Sequence, residues 1–254
     1  MARAAVSGGL RVRRAWRPAV LVERRLETPS ASTLVLDVPG WPGHLAGQHV
    51  DVRLTAPDGY QAARSYSLAA PAHDERIEIT VQAVPDGEVS SYLVGDATSG
   101  DSVEVRGPVG GWFVWRPEDT GPVLLVAGGS GVVPLMAMIR TRNGMAAAPF
   151  RLIYSVRGPD DRIYDHELRR RAAEDAGLEI TAVYTRTAPD GEPRPTGRIS
   201  IDDLVSYGWP AELEPTCYVC GPTGFVETVS NLLIFLGHDA SKIRTERFGP
   251  SGPE

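Results

Sequence analysis

The run Gly128-Gly129-Ser130-Gly131 follows the apolar stretch "PVLLVA" and precedes "VVPLMAMIR". A strand, a glycine-rich turn and a helix in that order place exposed backbone N–H groups and a helix N-terminus against a phosphate. Pro134 suits the first helical turn, where its missing N–H would have no partner anyway. It stands where the third glycine of G-x-G-x-x-G would fall. A tight turn before a helix accounts for the same residues, so the neighbouring segments carry the decision.

The next apolar segment, "FRLIYSV", ends at Ser155 and Arg157, with Arg162 one turn further on. Arg186 ends the segment after that, in "YTRTAP". In a doubly wound domain this position faces the adenosine ribose, and an acid there accepts the 2′-hydroxyl of NAD. Hydroxyl and guanidinium instead suit a 2′-phosphate, so NADP(H) is expected over NAD(H). Asp160 and Asp161 pull the other way. Upstream, "ARSYSLAA" sets Arg64, Ser65, Tyr66 and Ser67 into an otherwise apolar stretch. A phenol between two hydroxyls, with a cation nearby, offers a stacking plane, hydrogen bonds and an anion clamp. In "PDGEVSSYL", Gly87 and Ser90 open a short helix, a second phosphate-ready position.

The elements that must position these residues fall into two patterns. From about 18 to 116, "TLVLDV", "QHVDVRL", "SYSLA", "RIEITVQAV" and "DSVEVRGP" read as short strands separated by turn signals, with one short helix over 87–97. This predicts an antiparallel barrel or sandwich. From about 121, four apolar strands alternate with helices and "KIRTERF" closes the series, which predicts a parallel, Rossmann-like sheet. The boundary is expected near 116–122. Residues 1–17 then form a basic tail, 18–118 the antiparallel domain and 119–254 the α/β domain.

Composition narrows the classes. Of 254 residues, 42 % are hydrophobic and 23 % charged, which is enough apolar material for two cores. A net charge of −6 argues against nucleic acid as the main partner; Lys242 is the sole lysine, a bias from which no function is drawn. Cys217 and Cys220 form C-x-x-C in "TCYVCGP". No second ligand pair accompanies them, so structural thiols are expected, with no metal, in a reducing, cytoplasmic compartment. No apolar run long enough for a signal peptide or a membrane span is expected. The five histidines, among them His44, His49 and His166, show no metal or triad spacing. No Tyr-x-x-x-Lys is present to serve carbonyl chemistry.

Taken in order, "RSYS" (64–67), "GEVSSYL" (87–93), "GPVGGW" (107–112), "AGGSGVVP" (127–134), "CGP" (220–222) and "ERFG" (246–249) resemble the ferredoxin–NADP reductase superfamily of flavoproteins over about 18–249. The resemblance implies an N-terminal antiparallel β-barrel that binds FAD and a C-terminal Rossmann-like domain that binds the nicotinamide nucleotide. It implies that Arg64 clamps the FAD pyrophosphate, Tyr66 stacks on the isoalloxazine and Ser67 bonds near flavin N5. Gly87, Val89 and Ser90 would cradle the pyrophosphate, with Ser65, Gln82 and Val84 completing the flavin set. Gly129, Ser130, Gly131 and Pro134 would line the nucleotide phosphates. Cys220 and Gly221, with Pro222 of the same motif, would sit by the nicotinamide, and Glu246 and Phe248 would close the flavin face. Tyr66, Ser67, Cys220 and Glu246 are the expected catalytic group. The implied activity is an FAD-dependent NAD(P)H oxidoreductase that passes a hydride from NADPH to FAD. Electrons would then go to a separate protein acceptor: a ferredoxin, an oxygenase component or another redox enzyme. A stand-alone flavin or quinone reductase, or a non-catalytic electron-transfer subunit, are the alternatives. The four cysteines of a plant-type [2Fe–2S] domain are not in the chain.

Overall fold

In the computed structural model, which describes residues 15–142 and 148–249, the antiparallel half is built from six strands. They are β1 (Arg17–Thr28), β2 (Ala31–Asp37), β3 (His49–Thr55), β4 (Gln61–Ser67), β5 (Arg76–Gln82) and β6 (Ser102–Val109), in the order β4-β3-β6-β1-β2-β5. The two edge strands approach each other beyond the ladder. Leu68 bridges Ile79, and the Ala69 N–H donates to the Glu78 carbonyl at 2.8 Å, so the sheet curls into a barrel. Alternating residues such as Leu34, Leu36, Val50, Val52, Ile77, Ile79, Val103 and Val105 fill its interior. The expected basic tail falls almost wholly on residues outside those described, and Arg17 already belongs to β1.

β1 is the strand the sequence reading did not name. Its register shifts between Leu21 and Glu23 and again between Leu26 and Thr28. Each bulge inserts a residue and breaks the period-two alternation that marks a strand. The helix expected over 87–97 is a short α-turn, α1 (Glu88–Ser91), continued by a π-turn over Tyr92–Asp96. Together they seat Val89 and Leu93 in the barrel core.

The second half is a five-stranded parallel sheet in the order β11-β10-β7-β8-β9. Its strands are β7 (Val123–Gly128), β8 (Phe150–Val156), β9 (Leu178–Tyr184), β10 (Thr216–Pro222) and β11 (Ile243–Phe248). The helices α2 (Val132–Thr141), α3 (Asp165–Glu174), α4 (Ile201–Tyr207) and α5 (Thr223–Phe235) connect them. All six residues of β7 are buried. Leu125, Tyr154 and Tyr218 belong to the core on one face, and Leu124, Ile153 and Val219 to the core on the other. Burial on both faces is why these strands read as continuous apolar runs. Chain order reverses between β7 and β10, so their carboxyl ends open a crevice, the usual ligand position in such sheets.

The two halves share a packed seam. Phe113 and Trp115 leave the barrel and meet Tyr218 and Phe150 edge-on, at centroid distances of 5.3 and 5.0 Å. Arg140 of α2 donates to the Ala69 carbonyl at 2.9 Å and pairs with Glu78 of β5 and Glu167 of α3. The Tyr164 hydroxyl meets that of Thr80, which meets Thr33 at 2.7 Å, and Thr33 donates to Glu27 at 2.6 Å. Among the described residues no helix is long and apolar enough to cross a membrane.

Candidate active site

The crevice at the reversal point has a volume of about 240 Å³. Gly128, Gly129 and Ser130 form its floor, and Pro222 and Phe225 flank them from β10 and α5. Gln82 of the barrel and Phe248 of β11 also line it, so both halves contribute. The glycine at 131 has a steric reason: a Cβ there would lie 2.1 Å from the Cys220 carbonyl oxygen. The turn after β7 therefore rests directly on the end of β10.

Ser155 and Arg157 line the outer part of the crevice beside Asp161 and Thr185. Two other expected residues do not join them. Arg162 is 8 % exposed and pairs with Asp165 at 2.9 Å, with Tyr184 accepting a further bond. It packs the base of α3, because the turn over Pro159–Asp161 directs Asp161, and not Arg162, to the opening. Arg186 is exposed and lies outside the lining. Pro134 is buried within α2, away from the opening, and shapes the helix start.

On the barrel side, Arg64 and Tyr66 project from one face of β4 while Ser65 projects from the other. The Ser65 hydroxyl donates to Asp51 at 2.6 Å, within a cluster where Asp51 also pairs with Arg106. Strand alternation thus separates Ser65 from its neighbours. Arg64 is exposed, and among the described residues its guanidinium donates only to the adjacent Ala63 carbonyl. Burial pushes the Tyr66 phenol up to about 12, with Arg64 acting weakly against it, so the ring stays neutral. Gly87 opens α1, and a Cβ there would lie 2.4 Å from Ser90 Oγ and 2.5 Å from Val84 Cγ2. The Ser90 hydroxyl is engaged in that turn, donating to the Gly87 carbonyl at 3.2 Å. Val89 is buried, leaving only its backbone to the turn.

β4 and β11 meet where the Ser67 hydroxyl donates to Glu246 Oε1 at 3.2 Å. Burial pushes the Glu246 carboxyl up to about 7, with the Ser67 bond opposing. Cys220 pairs in register with Glu246 across β10 and β11. Its thiol lies well above the ordinary range through burial and the nearby carboxylate. Cys217 packs on the opposite face of β10, as three-residue spacing on a strand requires. The C-x-x-C spacing is therefore not a redox pair, and both thiols are free and buried.

The family profile described as oxidoreductase FAD-binding domain matches residues 18–114, and that of the oxidoreductase NAD-binding domain matches 125–231. The chain belongs to the ferredoxin–NADP reductase superfamily. One relative in it is the ferredoxin–NAD(P)(+) reductase component of naphthalene 1,2-dioxygenase/salicylate 5-hydroxylase systems from a Ralstonia species. The two are 34 % identical over 209 residues, 81 % of this chain and 61 % of that protein. The flavohem-like FAD/NAD-binding domain of nitric oxide dioxygenase from Vibrio cholerae O1 biovar El Tor superposes with a TM-score of 0.80. It is 26 % identical, with 92 % of this chain and 99 % of that one covered. A cytochrome P450 reductase from Amycolatopsis gives 0.79 at 27 % identity, covering 97 % and 74 %. The chain spans 61 and 57 % of the length of two naphthalene dioxygenase-system reductase components that it matches.

The residues present fit the flavin dinucleotide of this superfamily. Among the described residues Arg64 has no carboxylate partner, and it lies on the strand that carries the half-buried phenol of Tyr66 and packs near the tight Gly87 turn. Sequence reasoning missed Phe225 and Thr185, which line the crevice. Phe225 is the third residue of an apolar helix, and nothing in its local pattern separates it from core.

Proposed function

We propose that this chain is an FAD-dependent NAD(P)H oxidoreductase that delivers electrons to a separate protein acceptor. The observation that carries the reading is the bond between Ser67 and Glu246. It joins the barrel strand bearing Tyr66 to the sheet edge beside the glycine-rich crevice. A flavin, when bound, supplies the redox chemistry that links a two-electron donor to one-electron acceptors. The chain's own residues bind and orient: Arg64 and the Gly87 turn take the diphosphate, and Tyr66 covers one face of the ring. Glu246, with its carboxyl at about 7, holds or releases a proton at Oε1 beside Ser67. Gly129, Ser130 and Gly131 position the nicotinamide nucleotide, and close approach of the reacting rings is the main rate contribution of such a site.

The finer reading is a preference for NADPH. Ser155 and Arg157 offer a hydroxyl and a guanidinium for a 2′-phosphate, while Asp161 in the same crevice opposes it. The acceptor belongs to the class of ferredoxins, oxygenase components or other redox proteins, in keeping with the reductase components among the relatives. A functional division at about 118/119 accompanies this reading, and two buried reduced thiols suit a reducing, cytoplasmic setting.

The test is the visible spectrum of the purified protein, followed by anaerobic titration with NADPH and NADH in parallel. A bound flavin bleached at lower NADPH than NADH supports both readings. Preference for NADH keeps the flavin and removes the role given to Arg157. A protein that binds no flavin, even on addition of FAD, overturns the proposal.

A further inference from the structure

β5 presents its two faces to different halves of the molecule. Ile77, Ile79 and Val81 fill the barrel core. On the alternate positions, Glu78 pairs with Arg140, Thr80 meets the Tyr164 hydroxyl, and Gln82 lines the crevice. Tyr164, just before α3, is buried, and the Arg140 guanidinium lies 5.0 Å from its ring centroid. Its backbone stands at φ 62° and ψ 21°. That left-handed region disfavours a bulky side chain, so the surrounding contacts must impose it. The hydroxyl chain behind it has a fixed direction. Thr33 donates to Glu27, and a hydroxyl carries one proton, so Thr80 donates to Thr33 and Tyr164 to Thr80.

Asp161, on the crevice wall, lies three residues before Tyr164. Between them, Arg162 pairs with Asp165 at 2.9 Å, and the Ile163 N–H donates to the Tyr154 hydroxyl at 3.2 Å. Those bonds fix the segment to its own half, and Tyr164 ties it to the barrel. On the opposite wall, Gln82 stands about 7 Å along β5 from Thr80. We propose that Tyr164 is a positioning residue for the nicotinamide nucleotide, its bond to Thr80 setting the spacing between Gln82 and Asp161. This rests on the nucleotide reading of the crevice, and it adds the contact that holds the two walls in place. Neither Tyr164 nor Thr80 lines the crevice, so both act through the groups they place.

The experiment titrates the full chain with NADP+ and NAD+ by calorimetry, then follows NAD(P)H oxidation with ferricyanide as acceptor. Tyr164→Phe keeps the ring and removes the hydroxyl, and Thr80→Val removes the bond from the barrel side. Each is expected to raise the Kd and the KM for the preferred nucleotide about three- to tenfold, the range for one hydrogen bond. The kcat and the bound flavin content should stay within about twofold of the wild type. The double variant should be no weaker than the weaker single, because both changes remove the same bond. An unchanged Kd in Tyr164→Phe, even with lowered stability, overturns the inference, since a packing role alone would do that. A fall in kcat with KM unchanged, or losses that multiply in the double variant, overturns it too. If the wild type takes up no flavin, the flavin reading fails while calorimetry still decides the role of Tyr164. A wild type that binds neither nucleotide removes the nucleotide reading and this inference with it.

Discussion

Ser67 and Glu246 meet at 3.2 Å across the seam between the antiparallel and parallel sheets, although 179 positions separate them in the chain. The pair has a consequence for stability. The Glu246 carboxyl stands near 7 in the fold, against an ordinary value of 4.5, because burial disfavours its charge. Below pH 4.5 the group is protonated in both folded and unfolded chains and costs nothing. Between 4.5 and about 7 the unfolded chain releases the proton first, so stability falls as pH rises through that window. The loss amounts to about 3 kcal/mol for the flavin-free protein. Urea unfolding at pH 5 and pH 8 should show it, and Glu246→Gln should flatten the difference.

Arg157 and Asp161 share the outer crevice and should bias the nucleotide in opposite directions. Arg157→Ala is expected to lower kcat/KM for NADPH by about ten- to a hundredfold, the range for one charge-assisted hydrogen bond. The NADH value should change little. Asp161→Asn should lower the NADH value and spare NADPH. Steady-state kinetics with both nucleotides reads the two ratios, and a parallel fall for both nucleotides in either variant would reject the assignment.

Arg140 is the polar centre of the seam, paired with Glu78 and Glu167 and bonded to the Ala69 carbonyl. Its side chain is largely buried, so Arg140→Ala removes the cation shared by Glu78 and Glu167 and the bond to the Ala69 carbonyl, while Glu78 keeps Arg25 and Glu167 keeps Arg171. A loss of about 1.5–3 kcal/mol, the range for hydrogen bonds to charged groups, is expected, measured by chemical denaturation at pH 7. Arg53→Ala removes an ion pair with Glu104 on the barrel surface and should destabilise far less than Arg140→Ala, because solvent screens a surface pair.

Both cysteines should be inert in the native protein. Burial pushes Cys217 up to about 12 and Cys220 well above its ordinary range, so neither carries appreciable thiolate at pH 8. A chromogenic disulfide reagent should titrate no thiol in native protein and both in denaturant. Rapid reaction of either thiol in the native fold would contradict the burial found here.

The α/β half was legible in the sequence almost element by element. Strands buried on both faces are uninterrupted apolar runs, and among the helices between them α4 carries its own start signal, the Ser200–Asp203 capping box. β1 was not legible, since its two bulges shift the phase of alternation and its arginines and glutamates mask the remainder.

Residue types and spacing determined that this chain carries a glycine-rich turn before a helix, a cation–phenol–hydroxyl cluster on a strand, and a C-terminal acid. Those are local properties, fixed by backbone geometry within a few residues. Only tertiary structure decided which of them meet. Packing of the barrel on α2 and α3 brings Ser67 to Glu246 and Gln82 to the crevice. Strand alternation turns Ser65 away toward Asp51, and the turn after β8 sends Arg162 into an ion pair with Asp165 while Asp161 faces the opening. Long-range contacts of this kind depend on how whole elements pack, and no window of sequence contains both partners.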